Sequence, residues 1–259
     1  MLRPCSTLLR SARNNLNFIF SKTYFTSNRA YANFRSMTEI NRIQESYLQE
    51  PCILVDNDDN IIGSGSKKQC HLIDKGNNKC PLHRAFSVFL FNQSGELLIQ
   101  QRSDAKITFP GFWANTCCSH PLSKPEELEV EGAIGVKRAA QRKLKHELGI
   151  EKVQVPLEDI HFITRVHYSA PYNETWGEHE IDYILFTQRE VSLQPEPNEV
   201  QNYKYVTPEQ MKEFLANADK TSTKISPWLQ LIAKSHLFDW WKNLDNLKSL
   251  YNHRTILRL

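Results

Sequence analysis

The chain has 259 residues, of which 40% are hydrophobic and 24% charged, with a mean hydropathy of −0.51; that composition fits an ordinary globular protein of one or two domains and holds no apolar run long enough to cross a bilayer. The net charge of +3 conceals an asymmetry: Arg3, Arg10, Arg13, Lys22, Arg29 and Arg35 all precede the first acid, Glu39, and leave the remainder at −3. A mildly acidic body excludes a general polyanion binder, so no nucleic-acid partner is expected.

Residues 1–36 are rich in Arg, Ser and Asn, carry short amphipathic patches and lack acids. Such a leader has the composition of a mitochondrial transit peptide, or failing that of a disordered tail. Met37 offers a second start and hence a cytosolic form. Thr38–Gln49 is polar and reads as a helical extension over 37–50. Cys52–Val55 and Ile61–Ile62 flank a turn and predict a hairpin. Ser64–Lys79 reads as a loop.

Ala85–Phe91 is a continuous apolar run, followed after Asn92–Gly95 by Glu96–Gln101, which predicts a second hairpin. Trp113–Cys117 predicts a short strand, and Glu126–Glu131 an acidic helix or loop. From Gly132 to Leu148, Val136, Ala140, Leu144 and Leu148 recur at helical spacing, and Gly149 is a natural stop. Ile160–Tyr168 and Glu180–Thr187 predict strands and Pro208–Ala216 a helix. Ser226-Pro227 predicts an N-cap opening a helix to about Asn243. Strands and helices interleave without a regular βαβ repeat, so the fold class is α/β (α+β), a mixed sheet with helices on both faces. The last residues, 246–259, form a tail; Leu257-Arg258-Leu259 distantly resembles a peroxisomal import tripeptide and ranks below the leader as an address.

The six cysteines, Cys5, Cys52, Cys70, Cys80, Cys117 and Cys118, form no CxxC pair. No disulfide framework or zinc finger is expected, and any cysteine with a role acts as a thiol. Cys118 and His120 in Asn115-Thr116-Cys117-Cys118-Ser119-His120-Pro121 share one face if the chain is extended there, and Cys117 then faces away. Glu178 and Glu180 likewise share a strand face, where two carboxylates repel unless a cation lies between them. With His71 and His83 upstream, three imidazoles and two carboxylates would suit a divalent ion. Spacing alone does not choose His71 over His161, His167 or His179, nor the metal. Lys67, Lys68, Arg102 and Lys106 sit in predicted loops and suit a compact anion such as diphosphate.

The run Arg142–Ile150 resembles the end of a Nudix box, with two of its three glutamates replaced by Lys143 and His146 and its upstream glutamate falling on Ile134. Only Glu147 survives, too few carboxylates to hold the ions and activate the water that hydrolysis needs. This degenerate box, Asn115–Pro121, Leu82–Phe89, Gln101–Gly111 and Trp176–Tyr183 together resemble the type I isopentenyl-diphosphate isomerases of the Nudix superfamily, over about residues 51–241. The resemblance implies an isomerase domain at 51–245 with a Nudix-like core at about 82–232. It implies an enzyme that interconverts isopentenyl and dimethylallyl diphosphate, with a small-molecule diphosphate as its partner; a monomer is expected, though the sequence does not settle the oligomeric state.

By the same resemblance, His71, His83, His120, Glu178 and Glu180 ligate a divalent ion (Mg²⁺, Mn²⁺ or Zn²⁺), and Glu147 holds Mg²⁺ on the substrate. Lys67, Arg102 and Lys106 bind phosphate, and Lys143 matches a further basic residue on the helix. Cys118 and Glu180 form the acid/base pair, assisted by Tyr168; Ser119 contacts substrate, and Trp228 lines the pocket. Two other readings are a nucleotide diphosphohydrolase, which would leave Cys118 without a task, and an inactive binding module, which would not need the acid/base pair.

Overall fold

Every residue of strand β3, His83–Phe91, is buried, and the rest of the sheet is arranged around it. The computed structural model describes residues 42–259; the expected leader and the first part of the extension lie outside them. Contacts divide the chain into Met1–Ile43 and Gln44–Leu259, and the second unit carries everything below. Residues 44–47 are helical and lead through a turn into β1.

Burial on both faces explains the unbroken apolar run in β3. Phe86, Phe89, Leu90 and Phe91 are each 0% exposed, and each contributes about 2–3 kcal/mol relative to exposure. Along one side β3 runs parallel to β8, Gly177–Gln188, in register from His83↔Glu180 to Phe91↔Gln188. Antiparallel to β8 lies β7, His161–Pro171, and outside it the parallel β10, Ile256–Arg258. Three strands share the other side of β3: β1, Pro51–Val55, at His83; β6, Cys117–Ser119, in the middle; and β4, Leu97–Arg102, at Phe91. Strand β2, Ile61–Ser66, completes the edge beyond β1.

The expected second hairpin is therefore a single pair, Phe91↔Leu97. Beyond it β4 is taken by β9, Val200–Val206, and by the two-residue β5, Trp113–Ala114. The strand predicted over 113–117 breaks at Asn115-Thr116 into β5 and β6. Ser64–Lys79 is not all loop. Ser66 and Gln69 form a reciprocal capping box that opens helix α1, Lys67–His71, satisfying two otherwise orphan backbone donors. The tail is not free either, because β10 pairs with β7 and the Leu259 amide donates to the His167 carbonyl.

On one face lies α3, Ile134–Leu148, whose Val136, Ala140, Leu144 and Leu148 meet Phe86, Val88 and Leu90. Gly149, at φ 67°, caps it by donating to the Leu144 and Lys145 carbonyls, a left-handed turn that suits glycine. Ahead of α3 lies the short α2, Pro125–Leu128. The other face packs Phe89, Phe91 and Phe186 against Trp228, Leu229 and Trp241 of the C-terminal helix. That helix runs as α5, Pro227–Ile232, through a π turn to Trp241, after α4 at Pro208–Ala216. Ser226 opens it with extended backbone, but its hydroxyl makes no capping bond.

Candidate active site and metal centre

Strand register assembles the site. In the parallel β3–β8 pair His83 lies opposite Glu180, and in the antiparallel β7–β8 pair Tyr168 does. Glu178 shares the Glu180 face by alternation. His71 arrives from α1 and His120 from the end of β6. The ligand atoms of His71, His83, His120, Glu178 and Glu180 all lie within 4.8 Å of one another, and all five residues are buried. The alternatives His167 and His179 instead pair with each other at 3.0 Å, and His161 pairs with Tyr251.

The donor set can be tested against a cation. His71 Nδ1 is 2.7 Å from the Lys67 carbonyl and His83 Nδ1 is 2.9 Å from that of Pro81. A carbonyl only accepts, so each Nδ1 carries a proton, and each ring, when neutral, presents its Nε2 lone pair inward. Those nitrogens face carboxylate oxygens, His71 to Glu178 at 2.9 Å and His83 to Glu180 at 3.4 Å. His120 Nε2 faces Glu180 Oε1 at 2.8 Å and His83 Nε2 at 3.2 Å, while its buried Nδ1 has no partner. Lone pairs converging on lone pairs need positive charge between them, and one proton serves only one pair. Burial opposes charge on His83, but the hydrogen bond and charge of Glu180 lift it to about 9, so without a cation this ring takes a proton in the cation's place, and that one proton leaves the His71 and His120 contacts uncompensated. Burial holds His120 well below the usual imidazole range. The cluster thus fits a divalent cation.

Cys118 lies opposite Ser87 in the β3–β6 register. Its thiol donates to Asn115 Oδ1 at 2.9 Å and receives Trp228 Nε1–H at 3.0 Å, with Ser87 Oγ at 3.6 Å. Burial, reinforced by the nearby Asp182 carboxyl, pushes the thiol well above its ordinary pKa and keeps it neutral at rest. Cys117 points to the opposite face, donating to Glu147 Oε2 at 3.5 Å. Across the cavity the Tyr168 hydroxyl donates to Glu180 Oε2 at 2.5 Å. Cys118, Ser119, Glu180, Tyr168 and Trp228 line one cavity.

Lys67, Arg102, Lys106 and Glu147 line the same cavity. Lys67 stands at the start of α1 rather than in a loop. Arg102 is aimed by donating to the carbonyls of Thr108 at 2.7 Å and Phe109 at 3.0 Å, and its guanidinium lies 5.6 Å from the Trp228 ring. Lys106 is paired with the buried Glu199 at 2.5 Å. Burial lowers Lys106 to about 8 even with Glu199 beside it. Lys143 sits behind Glu147, 3.1 Å from Oε1 and 3.0 Å from His146 Nδ1.

Sequence reasoning missed Ser87, Asp182 and Glu199. Ser87 Oγ donates to Asp182 Oδ2 at 2.8 Å, linking Asp182 to Cys118. Asp182 continues the alternation of Glu178 and Glu180, a signal that was available. Ser87 is hidden in an apolar run, and Glu199 follows a polar loop with nothing to mark it.

Residues 81–229 match the NUDIX domain family, so fold and site define a Nudix-domain protein. A Bos taurus protein named isopentenyl-diphosphate Delta-isomerase 1 is 53% identical over 227 residues, covering 86% of this chain and 98% of its own length. A Gibberella zeae isopentenyl-diphosphate delta-isomerase is 56% identical over 219 residues (82% of this chain, 84% of its own), and one from Dictyostelium discoideum 52% over 214 (81% and 89%). The chain belongs to the isopentenyl-diphosphate Delta-isomerase family.

Proposed function

We propose that this protein interconverts isopentenyl and dimethylallyl diphosphate, with Cys118 and Glu180 handling protons on the two sides of the five-carbon chain. The observation that carries the reading is the convergence of these two proton-active groups on one cavity that also holds a basic cluster and an aromatic face. The alkene is unactivated, so protonation at its terminal carbon creates tertiary carbocation character. Glu180, hydrogen-bonded by Tyr168, gives that proton. Cys118 takes one from C2: turnover toward dimethylallyl diphosphate starts with the shared proton on Glu180 and Cys118 as thiolate, and ends with the thiol and carboxylate that the hydrogen bonds show, solvent exchange resetting the pair; the roles reverse in the other direction. The Trp228 and Tyr168 rings stabilise the positive centre by about 1–2 kcal/mol each when desolvated. Burial of the site excludes the water that would trap a cation.

Lys67, Arg102 and Lys106 hold the diphosphate, and Ser119 contacts the substrate. His71, His83, His120, Glu178 and Glu180 hold a divalent ion, Mg²⁺, Mn²⁺ or Zn²⁺, and Glu147 a Mg²⁺ that accompanies the diphosphate. Bound there, these cations neutralise carboxylate and phosphate charge and fix the Glu180 carboxyl. Incubation with isopentenyl diphosphate and Mg²⁺ followed by product analysis tests the reading. Cys118→Ala should abolish turnover while diphosphate binding persists; near-normal rates in that variant would refute the role.

The composition of residues 1–36 supports import into mitochondria, with a cytosolic form starting at Met37. Imaging with and without residues 1–36 tests this. A peroxisomal address stays the weaker reading, since a receptor would have to strip the C-terminal tripeptide from β7. Action as a monomer goes with this reading, and sedimentation of the active enzyme checks it.

A further inference from the structure

Asn115 heads the tract that supplies Cys118 and His120, yet no role above uses it. It lies between β5 and β6 and is 0% exposed. Its Nδ2 donates to the Val88 carbonyl at 3.0 Å and to the Cys117 carbonyl at 3.4 Å. Carbonyls cannot donate, so the amide has one orientation and Oδ1 must face the other way. There Oδ1 accepts the Cys118 thiol at 2.9 Å and Trp228 Nε1–H at 3.1 Å. Trp228 Nε1 is also 3.0 Å from the sulfur. The amide oxygen, the sulfur and the indole nitrogen form a closed triangle, anchored through Asn115 to the backbones of β3 and β6.

This anchoring has a direct meaning for proton transfer. A free cysteine rotates its S–H among staggered positions. Here the acceptor fixes where the proton on sulfur points, toward the amide and away from the carbon chain. When the C–H bond at C2 breaks, its electron pair closes the new double bond and its proton arrives on Sγ, which enters this step as the thiolate and leaves it as the thiol seen donating to Asn115. An acceptor waiting at Asn115 Oδ1 draws that S–H aside and hinders its return to carbon. The same oxygen holds the Trp228 indole, so the proton acceptor and the ring facing the positive centre keep a fixed spacing.

We infer that Asn115 is a positioning residue for the proton transfer at Cys118, biasing the cationic species toward loss of the C2 proton. The inference rests on the assignment of Cys118 and Glu180 given above. The species has two exits: loss of a C2 proton to Cys118 gives dimethylallyl diphosphate, and loss of a C4 proton back to Glu180 returns isopentenyl diphosphate. In D2O the second exit leaves deuterium at C4 of the recovered substrate. The ratio of C4-labelled isopentenyl diphosphate to dimethylallyl diphosphate formed reads the balance of the two.

The experiment runs the metal-loaded wild-type enzyme and Asn115→Leu side by side in D2O. Leucine keeps the volume and removes the acceptor. The expected result is a fall in kcat of about 10–100-fold, the usual cost of a misplaced reacting group. KM should move by less than about threefold, because ground-state binding is untouched, and the labelling ratio should rise at least about tenfold. A fall in both exits with the ratio unchanged is what damage to the fold alone would give, and overturns the inference. If Asn115→Leu does not fold, Asn115→Ala leaves room for water at the Val88 and Cys117 carbonyls and is read by the same ratio. Failure of the underlying acid/base assignment shows separately, as a Cys118→Ala enzyme that still forms product.

Discussion

Two residues decide how the anion end of the cavity responds to pH. Lys106 titrates near 8 because burial disfavours its charge more than Glu199 supports it. A lysine with a lowered pKa is charged below that value and neutral above it. The kcat/KM profile, which reports the free enzyme, should therefore fall on the alkaline side with an apparent pKa near 8. Lys106→Arg should abolish that limb, since a guanidinium stays charged. Glu199→Gln should move it to lower pH by removing the counter-charge. A wild-type profile that stays flat well above pH 8 would contradict the assignment. The adjacent cysteines separate cleanly at this scale as well. Cys117→Ala should leave turnover within a few-fold, because its sulfur faces the α3 side, while Cys118→Ala removes it; rate assays of the two variants decide.

Among the elements, the approach of α2 to α3 is the tightest constraint. A Cβ on Gly135 would stand 2.4 Å from the Glu127 carbonyl oxygen. Gly135→Ala must push the two helices apart and disturb Arg142, which binds Glu127 and donates to the His120 carbonyl. Thermal unfolding should show a loss of about 1–3 kcal/mol. Gly63→Ala, with only Leu54 Cδ1 at 4.0 Å, should be nearly neutral by the same measurement.

How far the elements were legible follows from the same physics. The α3 stripe, the Gly149 stop and the Ala85–Phe91 run announce themselves through periodicity and burial. Strand β9 does not: Gln201, Asn202 and Tyr203 are exposed, and its place is set by the backbone of β4. The break at Asn115-Thr116 was equally hidden, because a tertiary partner, the Val88 carbonyl, fixes the Asn115 side chain.

At the scale of the whole molecule, the buried His/Glu cluster draws on segments more than a hundred residues apart, and no spacing rule chooses His71 over His167. The family resemblance points to His71, and the fold sets His71 at the end of α1 beside Glu178 while His167 lies against His179. With no cation among them, the cluster leaves several inward-facing groups opposed. Chelation should therefore both abolish turnover and lower the unfolding temperature, and a divalent ion should restore both. A ligand held at about one hundred times its dissociation constant adds about 2.7 kcal/mol to folded-state stability. An unfolding temperature that ignores chelator and metal alike would remove these five residues as a metal centre.

The opposed directions of the two neighbouring sulfurs also decide how the protein ages. Vicinal thiols suggest a protective cross-link, but the sheet stands between these two like a wall, and each is packed into its own compartment. Among the described cysteines Cys118 is the one that is not fully buried, so a peroxide that enters from solvent meets it first. Oxidation then halts at a sulfenic acid that a small-molecule thiol can reverse, or continues to acids that none can. Cys117 cannot resolve it from the other face, so resistance to oxidative loss rests on the burial that keeps the sulfur a neutral thiol and on how well the entrance is kept shut.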